Sequence, residues 1–168
     1  MSAIRTFKND QIHWVWNHSS AQLRDELIAF WSSNKALPAS FETWRRTFEV
    51  ACVVRDSAGQ IVGVSSVYAG TLGNTTTPYW FYRTFIREDR RDVGLAPRVF
   101  AMTFEQLQQV SAKEPWAPVG VIVITENPKL ETPAGVRIIE RSGLQRLGLD
   151  GNGQSVWHRL FGEGGQHD

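Results

Sequence analysis

The sequence contains one cysteine, two methionines and almost no net charge. One cysteine, Cys52, excludes an internal disulfide, so the core alone has to hold the fold. It sits in the apolar run Val50-Ala51-Cys52-Val53-Val54, where a small buried residue is expected ahead of a nucleophile. The formal net charge of +1 argues neither for nor against nucleic acid, although a dedicated DNA binder is usually more basic and no nucleic-acid partner is expected. No apolar run approaches the ~18 residues of a membrane span. The N-terminus, MSAIRTFKND, has no apolar centre of a signal peptide, and cytoplasmic residence is the expectation. His, Cys and Asp show no metal-site spacing. There is neither a G-x-S-x-G elbow nor a Walker loop, so hydrolase and nucleoside-triphosphatase chemistry find no support.

What is there is an ordinary globular composition. The chain has 168 residues, 42% hydrophobic and 21% charged, which suits one domain with its own core. Seven tryptophans are expected mostly in the core or in pocket walls. Periodicity and turn residues predict strands over 11–16, 48–55, 61–69, 79–87, 119–125, 144–149 and 154–161. Helices are predicted over 21–33, 41–47, 95–110 and 133–141, capped by serines before the first two and by Thr132 before the last. The run VGVIVIT at 119–125 is apolar throughout, as in a strand buried on both faces. The tail from about residue 162 is expected to be disordered.

The chain is organised around residues 78–110. An aromatic strand leads into a link with Arg87, Arg90, Arg91, Arg98 and Gly94, and then into an amphipathic helix on Leu95, Val99, Met102 and Leu107. Unpaired N–H groups and the macrodipole at such a helix start suit a phosphate, and a glycine lets the backbone approach it. The alternative is a solvated cluster in which Arg87, Arg90 and Arg91 pair with Glu88, Asp89 and Asp92.

Arg91-Asp92-Val93-Gly94-Leu95-Ala96 fits the R/Q-x-x-G-x-G/A pattern of the GNAT N-acetyltransferase superfamily. Gly135 to Leu144 (GVRIIERSGL) resembles that family's A-x-x-L-Y-E-K-L-G-F segment, and Asn127 resembles the asparagine that often follows the buried strand. The likeness spans 48–161. It implies an α/β (α+β mixed) GNAT fold, with a mixed twisted sheet of about seven strands, four flanking helices, and a parallel pair between 79–87 and 119–125. It further implies an N-acyltransferase that moves an acetyl group from acetyl-CoA to a primary amine of a small molecule or protein. The expected partners are acetyl-CoA and the amine acceptor, with a homodimer as a further possibility. Arg91, Asp92, Val93, Gly94, Leu95 and Ala96 would hold the pyrophosphate. The backbone of Thr84, Phe85 and Ile86 would bond the pantetheine amides as an added strand does, with Asn127 nearby. Ile139 stands where many members carry the tyrosine that protonates the leaving thiolate. Tyr82, Tyr79 and His158 are the candidates to replace it, and Glu126 and Glu49 are the candidate bases. The missing tyrosine also supports the alternative of a catalytically silent acyl-CoA-binding or protein-interaction module.

Overall fold

The computed structural model describes residues 3–91 and 94–162. Asp92, Val93 and the tail beyond 162 lie outside the described residues, and so do the expectations placed on them. The strands are β1 (Ile4–Phe7), β2 (Asp10–Trp14), β3 (Val50–Arg55), β4 (Ile61–Thr71), β5 (Pro78–Ile86), β6 (Gly120–Ile124), β7 (Gln145–Leu149) and β8 (Ser155–Leu160). The α-helices are α1 (Ala21–Ser33), α2 (Phe41–Arg46), α3 (Leu95–Ser111) and α4 (Pro133–Arg141), with single 3-10 turns at Thr47–Glu49, Glu88–Arg90 and Pro128–Glu131. No helix among the described residues is long and apolar enough to cross a membrane.

The sheet has eight strands in the order β1-β2-β3-β4-β5-β6-β8-β7. The required parallel pair is present: β5 runs beside β6 with Trp80 opposite Val121, Phe81 opposite Ile122 and Tyr82 opposite Val123. The strand that the sequence reading did not contain is β1. It is short, its side chains are exposed or half-buried, and it pairs antiparallel with β2 through a turn in which Lys8 takes φ 54°. Neither a glycine nor an apolar alternation marks that turn in the sequence.

The chain divides into two compact units, residues 1–67 with 83–103 and residues 68–82 with 104–168. In the first, α1 starts at Ser20, whose hydroxyl accepts the N–H of Leu23. It buries Leu27, Phe30 and Trp31 against Val50, Val53, Ile61 and Val64. Phe85 of β5 meets Phe30 edge to face at 5.8 Å. Leu95, Val99 and Met102 of α3 are fully buried. Cys52 is buried too: its Sγ accepts the Thr103 hydroxyl at 3.3 Å, and burial raises its pKa to about 11, which suits an inert core thiol. His13 is less settled than a core histidine with satisfied partners would be. Its Nε2 is buried with no hydrogen-bond partner among the described residues, and burial, then Arg55, lowers its pKa.

In the second unit Val121 and Ile122 are fully buried, as the apolar run predicts, while Val123 and Ile124 are half-buried. The tryptophans divide: Trp14, Trp31 and Trp157 are buried, but Trp44 is 43% exposed and Trp116 is 90% exposed. At the start of β6 the chain passes so close to β8 that a Cβ on Gly120 would collide with the Arg159 carbonyl and would lie 2.9 Å from the Leu160 Cα. Backbone cannot swing aside as a side chain can. Gly120→Ala is therefore expected to cost about 3 kcal/mol, read as a fall in melting temperature of roughly 6–12 °C. A melting curve that superimposes on that of the parent would contradict the close approach.

Candidate acyl-CoA site

Three features converge at the end of β5. The β6 register stops at Tyr82, whereas β5 itself continues to Ile86. Arg83 to Ile86 therefore extend past the last parallel pair, which is the arrangement an added strand needs from its host. On its other side β5 is tied to β4: the Thr84 hydroxyl donates to the Val64 carbonyl at 3.2 Å and the Arg87 N–H to the Val62 carbonyl at 2.8 Å. The strand then passes through one 3-10 turn into the loop before α3. Gly94 adopts φ 79°, the left-handed region, and the nearest atom to a Cβ built there is Phe7 Cζ at 3.9 Å. Glycine is needed at this position for its dihedral, and the space around it is open. Leu95, wholly buried, starts α3 and fixes where its unpaired N–H groups begin. Ala96 is half-buried in the same first turn.

The arginines of the link do not form one solvated cluster; each has a separate task. Arg87 makes a two-bond pair with Asp89 at 2.6 and 2.9 Å. Arg90 makes a two-bond pair with Asp10 at 2.8 and 2.7 Å, and its other terminal nitrogen lies 3.9 Å from Asp56. Arg91 donates from Nε to the Ile86 carbonyl at 2.7 Å, and its guanidinium lies 5.1 Å from the Phe85 ring. Arg98 lies over the Phe7 ring at 5.2 Å. Two arginines therefore hold the loop to the body of the unit, one through Asp10 and one through the end of β5. Asp10 and Phe7 were not legible as site residues, because an isolated aspartate and a single half-buried phenylalanine carry no sequence signal.

The proposed catalytic groups are less concentrated. Tyr79 Oη and His158 Nδ1 are 3.2 Å apart, so the structure joins two of the named residues. Tyr82 is buried at 8% exposure. Glu126 is exposed. Glu49 is half-buried and faces Arg45 at 3.6 Å. Asn127 is exposed, and its Oδ1 accepts the Lys129 N–H at 3.0 Å and caps the turn that follows β6. That turn is pinned by Glu131, whose carboxylate accepts the Thr125 hydroxyl at 2.6 Å and the Ser155 hydroxyl at 2.9 Å. Chiefly the Thr125 bond, then the Ser155 bond, holds the Glu131 carboxyl below its ordinary range. The stability these bonds supply is thus present above the ordinary carboxylate value and is lost as pH falls through the lowered one.

Ile139 bears on the missing tyrosine. It is buried at 7% exposure on the inner side of α4, whereas its neighbour Ile138 is 45% exposed. A ring and hydroxyl at 139 would overfill a packed position, so Ile139→Tyr is expected to cost about 1–3 kcal/mol. An unchanged melting temperature combined with faster thiol release would instead place residue 139 beside the cofactor thiol.

No family model matches the sequence, and no curated protein matches it. Solved structures do. A ribosomal-protein-S5-alanine acetyltransferase from Vibrio fischeri superposes with a TM-score of 0.66 at 11% identity, covering 96% of this chain and 98% of that one. A GNAT superfamily phosphinothricin acetyltransferase from Sinorhizobium meliloti, solved with AcCoA, gives 0.63 at 12% identity over 95% and 92%. A GNAT-family acetyltransferase from Streptococcus pneumoniae gives 0.59 at 13% identity over 90% and 99%. The chain has the fold of these acetyltransferases.

Proposed function

We propose that this chain, with its GNAT fold, is an acyl-CoA-dependent N-acyltransferase that works as a single catalytic domain and transfers acetyl from acetyl-CoA to a primary amine. One observation carries the reading. A strand that outlasts its parallel partner leads directly into a glycine-bearing loop at a helix start. That order supplies backbone groups for the pantetheine amides and then N–H donors for the pyrophosphate. The solved phosphinothricin acetyltransferase in complex with AcCoA supports the choice of donor.

In the reaction the neutral amine attacks the thioester carbonyl. The C–N bond forms, the C–S bond breaks, the nitrogen loses a proton and the thiolate gains one. Glu126 or Glu49 is assigned to the first proton, and Tyr82 or the Tyr79–His158 pair to the second. Thr84, Phe85, Ile86, Arg91, the loop from Asp92 to Ala96 and Asn127 are assigned to the cofactor.

A second reading has a specific basis. By the sequence resemblance Ile139 takes the place of the family's tyrosine acid, and an isoleucine has no proton to donate, which fits a domain that binds acyl-CoA without turning it over. Thiol release from acetyl-CoA across a panel of amines separates the two. Release with at least one acceptor is expected; binding of acetyl-CoA with no release from any acceptor would favour the silent module.

A further inference from the structure

The β1–β2 hairpin is fastened to the loop before α3. Phe7 pairs with Asp10, which leaves a two-residue turn, Lys8-Asn9. Asp10 accepts both bonds of Arg90, which stands in the link shortly before Gly94. Phe7 is half-buried, and its Cζ is the nearest atom to a Cβ built on Gly94, at 3.9 Å. Two cations lie over the Phe7 ring: Lys8 at 5.5 Å, and Arg98, from the first turn of α3, at 5.2 Å. All these residues belong to the first unit, as does the segment from Thr84 to Ala96 assigned to the cofactor.

Lys8 and Arg98 differ from the other cations around the loop. Arg87 has Asp89, Arg90 has Asp10, and Arg91 has the Ile86 carbonyl. Lys8 and Arg98 are both exposed, and among the described residues neither pairs with a carboxylate. Lys8 also adopts φ 54°, at the first position of a two-residue turn, where glycine is the ordinary choice. A side chain is strained there, and no ion pair within the fold offsets the strain.

Two unneutralised cations on one ring, with the tip of that ring turned to Gly94, attract an anion beside the loop. Phosphate suits both, since a guanidinium binds its oxygens in pairs and an ammonium acts as a point charge. The acyl donor carries a third phosphate besides its pyrophosphate. It is a monoester on the 3′ oxygen of the ribose, and that ribose hangs from the pyrophosphate itself. Such an ester carries about −1.5 to −2 charges at neutral pH. With the pyrophosphate at Gly94, the ester comes close to the residues that flank the loop.

We propose that Lys8 and Arg98, positioned by Phe7, bind the 3′-phosphate of acyl-CoA, so that the β1–β2 hairpin selects the 3′-phosphorylated donor. The inference rests on the function proposed above.

The test is calorimetric titration of the full chain with acetyl-CoA and with acetyl-3′-dephospho-CoA, which lacks only that phosphate. Acetyl-CoA is expected to bind about tenfold tighter. Lys8→Gln and Arg98→Gln are each expected to weaken acetyl-CoA about threefold, the scale of an exposed ion pair, and to leave the dephospho ligand unchanged. The double variant is expected to bind the two ligands equally. Lys113→Gln removes an exposed cation of the second unit and is expected to change neither affinity, which separates a local contact from net charge. Added salt is expected to narrow the gap between the two ligands in the parent protein. Near-ultraviolet circular dichroism checks that each variant folds. Equal affinity of the parent for the two ligands overturns the 3′-phosphate site and leaves the acyl-CoA reading standing. Glutamine variants that weaken both ligands alike also overturn it, because the cations then act on a group the two ligands share. If neither ligand binds the parent, the acyl-CoA reading falls and the site falls with it.

Discussion

Arg90→Ala is expected to destabilise the fold by about 3 kcal/mol, because it removes the partner of a buried carboxylate. The Asp10 side chain is only 6% exposed, whereas that of Arg90 is 29% exposed. Without the guanidinium, Asp10 keeps its charge in a place that water hardly reaches. Asp56, whose side chain is 12% exposed, then stands nearby with the same sign and without the arginine between them. Removing one member of a buried pair typically costs about 3–5 kcal/mol, and the partial exposure of Arg90 sets the estimate at the lower end. For a chain of this size that is a fall of roughly 6–12 °C in melting temperature. Asp10→Asn is expected to cost less, about 1–2 kcal/mol, since it removes the buried charge along with the bond. A cycle of the two single variants and the double variant would measure the coupling directly. A coupling near zero would show that the turn before the loop is held by something other than this pair.

That pair also marks the limit of what the sequence shows. Local order was legible because it is written in local signals. Ser20, Ser40 and Thr132 cap the helices predicted to follow them. The apolar run beginning at Val119 contains the interior strand, and Leu95, Val99, Met102 and Leu107 form the buried stripe of α3. The fold class followed from the order of those elements together with the two motifs at 91–96 and 135–144. The partners across the sheet were not legible, because spacing along the chain says nothing about them. Arg90 finds Asp10 across 80 positions, and Thr103 finds Cys52 across 51. Tyr79 finds His158 across 79. The strand at Ile4–Phe7 was missed for a different reason. A short edge strand with exposed side chains has no buried face to impose alternation on its sequence.

Gly94→Trp is expected to abolish acetyl-CoA binding while leaving most of the stability intact. The two halves of that expectation have different causes. The stability half rests on space: around a Cβ at this position the nearest atom is Phe7 Cζ, at 3.9 Å, so an indole can leave the loop outward without colliding with the core. What remains is the dihedral. At φ 79° a residue with a Cβ pays roughly 1–2 kcal/mol, or about 2–8 °C of melting temperature. The binding half rests on the same open space. A pyrophosphate held at the start of α3 must come within hydrogen-bond distance of backbone N–H groups, and an indole fixed at residue 94 occupies that approach. Gly94→Ala separates the causes: it carries the same dihedral penalty with little bulk. Alanine is expected to melt like tryptophan but to keep measurable affinity, whereas tryptophan loses it. Calorimetric titration of acetyl-CoA into both variants reads the difference. Parental affinity in a folded Gly94→Trp protein would remove the loop from the cofactor site, and the assignment of Arg91 to Ala96 would go with it.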